Sequence, residues 1–455
     1  VQQKMFKHIQ NKNIYYFLLL ASIIFHSVIS FENITFNLYF NSVYEEYGNF
    51  FKSFEFLSFS DPYLTFPIWG YGFFYLFFGK SILLNLFIQQ SITFITLVFL
   101  DRDIIRFKLI HKIEYFRFFI IFSAPWFLFH TQMWPKSFAS NLIILSVLLL
   151  FHFFKSKKYV FLILSALCFG VMQNFRSDYI FLFYLLVVYI YFSKPFGFEN
   201  TLKKSIFPII VLMLLTPWMI FTYNQTGRTL LTSTNAGHVL FIGLGQLPEN
   251  IWGILPRDDD EVMDMTLKEE FGSSYKSDKY HENIFLKNKF IQLIKQDPTE
   301  WIKKCFFSFR LLVFDPFYVG NIGSFQQNGF SNVKEIRKLE DLIYRFEFIE
   351  AKKLISETDW RLSYKEVFQF FYTLFTKVLG IILFISFLIS LILSFYKFRF
   401  NLFKDKIITL LLIVIGYQIA ISVFAFHMSV YNTTIYVFYL LLTYLLFQKY
   451  LSIKQ

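Results

Sequence analysis

Ten apolar runs separated by short polar segments constrain this chain more than any other feature. They cover 14–31, 81–100, 117–130, 137–154, 159–174, 178–193, 205–222, 368–396, 407–427 and 432–448. A helix that crosses a bilayer needs about 20 predominantly apolar residues, and most of these runs reach or approach that length. The run 67–79 is too short and reads as a re-entrant or interfacial helix. Composition agrees: 17% of the 455 residues are charged, against about 25% in a typical soluble domain. Aromatic residues at 22%, with only 17 Gly and 11 Pro, argue against disordered and collagen-like chains. The two cysteines, Cys168 and Cys305, are far apart, and no Cys/His spacing resembles a zinc site. The expectation is an all-α polytopic membrane protein with about ten spans.

Charge orients the runs. Segment 223–367 carries 19 Lys and Arg against 21 Asp and Glu, while the remaining 310 residues carry 25 against 11. The net +12 therefore belongs to the membrane part, in clusters between apolar runs, which suits cytoplasmic loops better than nucleic-acid binding. With ten spans and the N-terminus inside, 20 of those 25 basic residues face the cytoplasm. Counting 67–79 as a span would expel the basic segment 101–117. Both termini are thus expected in the cytoplasm, with the multi-pass chain in a plasma membrane of prokaryotic type. The first run has a basic lead-in and no small-residue cleavage site, so it reads as an uncleaved anchor. Three parts follow: a transmembrane module over 1–222 with an outer first loop at 32–80, an outer insert of mixed structure at 223–367, and C-terminal helices over 368–455. Within the insert, 284–296 is helix-like and ends at Asp297-Pro298; Trp301 to Phe314 is amphipathic and suits a membrane surface.

Polar residues on the outer side are few. Segment 37–57 reads as an amphipathic helix with Asn41, Glu45 and Lys52 on its polar stripe and Glu46 beside it. A solvated face explains these carboxylates; so does a general base, Glu45 or Glu46, aimed at an acceptor hydroxyl. Arg176 and Asp178 interrupt two apolar runs at Asn174-Phe175-Arg176-Ser177-Asp178. They read either as a paired interfacial turn or as a phosphate-binding arginine oriented by its acid. Lys136, in the turn Trp134-Pro135-Lys136-Ser137, and Lys377, inside its run, are the other cations near such a phosphate, although snorkelling also accounts for Lys377. After Pro217-Trp218 the chain turns polar and glycine-rich, through Asn224, Gly227, Asn235, Gly237, His238, Gly243 and Gly245. Small residues there allow close backbone approach to a ligand; His238 reads either as a structural hydrogen-bonder or as a site residue.

That post-helix segment resembles one in bacterial glycosyltransferase family 39-like proteins, relatives of the protein O-mannosyltransferases and the aminoarabinose transferase of lipid A. The run "FPIWGYGFFYLFFGKSILLNLFIQQSITFITLVFL", the turn "FGVMQNFRSDYIFL" and the closing "HMSVYNTTIYVFYLLL" are similar to family segments in the same order. The resemblance implies a class C (GT-C) helical bundle and a polyprenyl-phosphate-linked sugar donor. It also implies inverting transfer on the non-cytoplasmic side, with an outer-loop carboxylate as base and basic residues on the leaving phosphate. The acceptor would be a lipid, glycan or protein hydroxyl. Four positions depart from the pattern. Asn41 or Val43 stands near the usual loop Asp, so Glu45 or Glu46 would substitute. Lys136 replaces an outer-loop Glu, Tyr223 an Arg before Asn224, and His427 and Tyr431 lie where the closing Arg is absent. No organic cofactor is implied and no metal ligand set is identified; a divalent metal beside the phosphate stays open. Two alternatives remain. An O-antigen-type polysaccharide polymerase fits the span number, although its insert would be expected to be arginine-rich. A lipid-sugar flippase would favour internal repeats, of which none is visible.

Overall fold

The computed structural model describes residues 9–29, 81–131, 135–193, 203–272, 279–318, 338–339, 342, 347–358 and 364–451. Among these, all regular structure is helical and there is no strand. The proposed base helix at 37–57, with Asn41, Glu45 and Glu46, lies outside the described residues.

Among the described residues, six helices are long and apolar enough to cross a membrane. They are α1 (Lys12–Ile29), α2 (Ile82–Arg106), α5 (Pro135–Ser156), α8 (Ile206–Thr226), α14 (Tyr364–Phe398) and α15 (Lys406–Ala420), the last continued by a π-helical turn at Ile421–Ala425. Three shorter apolar helices join them: α6 (Tyr159–Phe175), α7 (Ile180–Phe192) and α17 (Tyr436–Leu451). The expected span at 117–130 is not one helix. It breaks at Phe122-Ser123 into α3 (Ile113–Ile121) and α4 (Ala124–His130). Pro125, in the first turn of α4, supplies no N–H and disfavours helical backbone just before it. The ten expected spans thus become six long helices, three shorter ones and this broken pair. The helices are those of a membrane-embedded protein.

Their packing uses small residues and reciprocal hydrogen bonds, as expected where lipid removes the hydrophobic drive between helices. Ser146 Oγ of α5 donates to the Ser165 carbonyl of α6 (3.0 Å), and Ser165 Oγ donates to the Ser146 carbonyl (2.9 Å). Gly170 of α6 meets α8 so closely that a Cβ would lie 3.3 Å from the Val211 Cα. Large apolar side chains remain on the outer surfaces, including Phe192 at 81% exposure and Tyr396 at 86%. Such exposure suits contact with acyl chains.

Among the described residues of the insert, all regular structure is helical: α9 (Ala236–Leu244), α10 (Glu261–Phe271), α11 (Lys279–Gln296), α12 (Pro298–Phe314) and α13 (Phe348–Glu357), joined by turns and irregular segments such as 245–260. Phe241, Ile242, Leu244, Ile254, Met263 and Leu286 form its own small core. The glycines in this stretch serve that packing. A Cβ on Gly237 would collide with the Asn283 carbonyl, and one on Gly243 with the Ala425 carbonyl. The close approach read from the sequence is therefore filled by the protein's own backbone. Helix α12 is inside-out for a water-exposed helix: Glu300, Lys304, Ser308 and Leu312 are buried, while Ile302, Phe306 and Phe309 are exposed. Its buried Lys304 donates to the carbonyls of Val423 (3.0 Å) and Ala425 (2.6 Å), at the end of the π-helical turn.

Candidate functional site

Helix α6 ends at Phe175, and the chain turns through Arg176 before a 3-10 turn, Ser177–Tyr179, opens α7. Extended backbone at Arg176 (φ −149°, ψ 103°) breaks the helical run and brings its side chain back over the turn. Arg176 Nε donates to Asp178 Oδ1 at 2.7 Å, and Nη2 donates to Asp178 Oδ2. This bidentate fork fixes the plane of the guanidinium. Arg176 is 6% exposed. Its guanidinium carbon lies 4.9 Å from the ring centre of Tyr431 and 5.6 Å from that of Tyr179. Lys136, in the first turn of α5, places its Nζ 5.3 Å from the same Tyr431 ring. Two basic side chains from different elements thus share one aromatic residue. Burial works against the Arg176 charge, but the Asp178 carboxylate outweighs it and holds the guanidinium protonated above the ordinary arginine range. Arg176 Nη1 is buried and has no hydrogen-bond partner among the described residues. An ordered guanidinium with an unused donor, next to a lysine, is an anion-binding arrangement.

The turn is pinned from below. Tyr417 of α15 donates its hydroxyl to the Asp178 carbonyl, and the Tyr179 hydroxyl pairs with Thr434 Oγ1 (2.5 Å). Ser140 of α5 donates to the Thr434 carbonyl (2.6 Å). Tyr431 belongs to α16 (Ser429–Thr433), a short helix held by its own neighbours. Asn432 Nδ2 donates to Ser422 Oγ (3.2 Å), and its Oδ1 accepts from the Tyr439 hydroxyl (3.0 Å). The Tyr318 amide donates to Thr433 Oγ1 (2.6 Å).

Helix α16 also joins the first cluster to a second. Asp315, where α12 ends, accepts a hydrogen bond from Ser429 and interacts electrostatically with Lys377 of α14. Burial raises the Asp315 carboxyl above the usual range, while Lys377 and the Ser429 bond pull it back. His427 Nε2 lies 3.1 Å from the Asp315 carbonyl, and burial lowers its imidazole to about 4, so it is neutral at pH 7. Lys377 therefore acts on a buried carboxylate.

The other expected site residues divide. His238 Nε2 pairs with Asp258 Oδ1 at 2.9 Å, and Asp258 acts electrostatically on Tyr431. That links His238 to the rim of the Arg176 cluster through a residue the sequence reading passed over. Ser177 Oγ donates to Ser233 Oγ (3.1 Å), bringing the polar stretch after α8 to the same turn. Asn235 is the N-cap of α9, with no side-chain capping bond. Asn224 is exposed in the last turn of α8, which Gly227 ends in the left-handed conformation at φ +68°. Tyr179, Asp258 and Asp315 were missed. Asp258 lies in the run Asp258-Asp259-Asp260, which reads as a solvated loop, and Asp315 stands alone before Pro316. Among the described residues, no group of three or more His, Cys, Asp or Glu converges as a metal site.

No protein-family model, curated protein or solved structure matches the chain.

Proposed function

We propose that this protein is an integral-membrane glycosyltransferase of the GT-C type. It would transfer a sugar from a polyprenyl-phosphate donor to an acceptor hydroxyl on the non-cytoplasmic face. The observation that carries the reading is Arg176: buried, clamped by Asp178, stacked on Tyr431 beside Lys136, and holding an unused Nη1 donor. In this reading Arg176 and Lys136 stabilise the phosphate as negative charge builds on the departing oxygen. Glu45 or Glu46 accepts the proton of the acceptor hydroxyl as its oxygen attacks the anomeric carbon and the carbon–phosphate-oxygen bond breaks. Asp178 orients Arg176 and keeps it charged. Lys377 is held by Asp315 and is not given a phosphate role. A lipid donor fits an anion site among helices with exposed apolar flanks. The order of sequence segments resembling glycosyltransferase family 39-like proteins supports the same reading.

The test uses purified protein in detergent with a defined lipid-linked sugar, scoring donor binding and transfer separately. Arg176→Ala removes charge-assisted hydrogen bonds worth about 1.5–3 kcal/mol, so donor affinity should fall roughly 10- to 150-fold. Glu45→Gln or Glu46→Gln should retain donor binding and lose about 10²–10⁴-fold in rate. Full donor binding by Arg176→Ala would remove the phosphate site. Donor binding without turnover in the wild-type protein would favour a carrier over a transferase.

A further inference from the structure

The end of the bundle opposite the Arg176 turn gathers lysines from three separate segments. Lys157 lies in the tight α5–α6 turn, Lys203 and Lys204 precede α8, and Lys406 opens α15. They converge in space: Lys157 and Lys204 both act electrostatically on Lys406. Lys203 Nζ lies 5.9 Å from the Tyr159 ring centre and Lys406 Nζ 5.7 Å from that of Phe154. The arrangement is held from within. Lys204 Nζ donates to the Tyr191 carbonyl (2.9 Å), the Tyr191 hydroxyl pairs with Ser205 Oγ (2.5 Å), and the Tyr189 hydroxyl donates to the Lys406 carbonyl (2.8 Å). Lys157 adopts a left-handed backbone at φ +60°, a conformation that costs a residue with a Cβ.

Three helices (α6, α8 and α15) begin at this place, and the uncapped starts of α6 and α8 add partial positive charge. Among the described residues, three acids at this end have partners of their own. Asp405 Oδ1 accepts the amides of Ile407 (3.1 Å) and Ile408 (3.3 Å), and its Oδ2 lies 3.9 Å from Lys449. Asp101 is held by Arg117 and Asp103 by His152, each at 2.7 Å. Four lysines and the starts of α6 and α8 thus bring positive charge together at this end. Apolar side chains flank it on the outer surface of the same helices: Val160 at 52% exposure, Phe192 at 81% and Ile209 at 53%. An anionic head beside a surface made for acyl chains is the chemistry of an acidic phospholipid.

We propose that Lys157, Lys203, Lys204 and Lys406 form a binding site for the phosphate of an anionic lipid in the adjoining leaflet. The ammonium groups neutralise the phosphate, and the acyl chains run along α6, α7 and α8. This site is independent of the proposed transferase activity and lies at the other end of the bundle.

The test is a binding titration of fluorescent phosphatidylglycerol to the full-length protein in a neutral detergent. Phosphatidylcholine and inorganic phosphate serve as competitors. Wild-type protein should prefer phosphatidylglycerol over phosphatidylcholine by tenfold or more. A surface lysine near an anionic lipid contributes roughly a fivefold gain in binding, so Lys157→Gln, at an exposed position, should weaken binding about fivefold. The triple variant Lys157→Gln, Lys203→Gln, Lys406→Gln should weaken it by about 10²-fold. Lys268→Gln, Lys287→Gln, Lys295→Gln removes the same charge from the insert and should leave binding unchanged. Equal loss in that charge control would overturn the site, as would equal affinity for the two lipids or wild-type binding by Lys157→Gln. Inorganic phosphate binding as tightly as the lipid would overturn the lipid assignment.

Discussion

Removing either member of the Arg176–Asp178 pair should have unequal consequences, because the two are unequally buried. Arg176 is 6% exposed, whereas the Asp178 side chain is 33% exposed. Stranding one charge of a fully buried pair costs about 3–5 kcal/mol. Solvent reaches Asp178, which lowers the figure for Asp178→Asn to about 2–3 kcal/mol. Arg176→Met leaves a carboxylate that can hydrate, and the thioether still packs on Tyr431 and Tyr179. Its main loss is the cation–π contact, about 1 kcal/mol. Asp178→Asn should therefore be the more destabilising change by about 1–2 kcal/mol, the difference of those two figures. The measurement is unfolding free energy in detergent micelles titrated with a denaturing surfactant, for both variants and the double variant. The double variant should resemble Arg176→Met, since the buried guanidinium is gone in both. Polyprenyl phosphate provides the second arm. At a hundredfold excess over its dissociation constant a ligand stabilises by about 2.7 kcal/mol. Wild type and Asp178→Asn should both gain, and Arg176→Met, at the same lipid concentration and with affinity lowered roughly 10- to 150-fold, should gain only about 0.3–1.4 kcal/mol. If Arg176→Met proves as destabilising as Asp178→Asn, the buried-cation argument fails; if it gains fully from the lipid, the anion site fails.

Lys304→Met should lose about 2–3 kcal/mol in the same unfolding assay, because two buried carbonyls, Val423 and Ala425, lose their shared donor. Lys304 also carries a pH signature: burial lowers it from the ordinary 10.5 to about 8. Between those values the unfolded chain holds the extra proton, so this group's contribution raises stability as pH climbs from about 8 to 10.5, and Lys304→Met should flatten that rise. His427 acts in the acid range. Lowered from 6.5 to about 4 by burial, it makes the folded state lose stability as pH falls from 6.5 towards 4, and His427→Gln should remove that part of the slope. Gly243→Ala should destabilise by about 1–3 kcal/mol, since its Cβ meets the Ala425 carbonyl instead of a flexible side chain. Thermal or surfactant unfolding of each purified variant checks these outcomes.

Much of the fold was legible because apolar length and helix punctuation are local. The end of α8 near Tyr223, the stretch 284–296 within α11 and the amphipathic helix from Trp301 follow from runs, Gly227 and Asp297-Pro298. The break between α3 and α4 was also written in the sequence, at Pro125, but the apolar count over 117–130 hid it. Hydropathy sums over a window and is blind to one missing N–H. The glycines after α8 show the converse difficulty. Their demand for close approach was readable; what approaches, the backbone at Asn283 and Ala425, lies far away in sequence.

The site divides along the same line. Arg176 and Asp178 were readable as a pair because they are two residues apart and cost free energy among apolar spans. Lys136 shares with Arg176 the ring of Tyr431, nearly 300 residues further along, and nothing in a tyrosine among 28 marks it as the meeting point. Asp315 and Lys377 were likewise unpairable from sequence, since they lie about 60 residues apart; Ser429, which bonds Asp315, stands two residues before Tyr431 on α16. Residues two apart on a helix point about 200° from one another. One short helix can therefore present Tyr431 to the Arg176 turn and Ser429 to the Asp315–Lys377 pair. Its own backbone is tied down through Asn432 and Thr433. That arrangement gives α16 a structural reason to be short and polar between two apolar helices: it separates two charged clusters that would otherwise have to share one face.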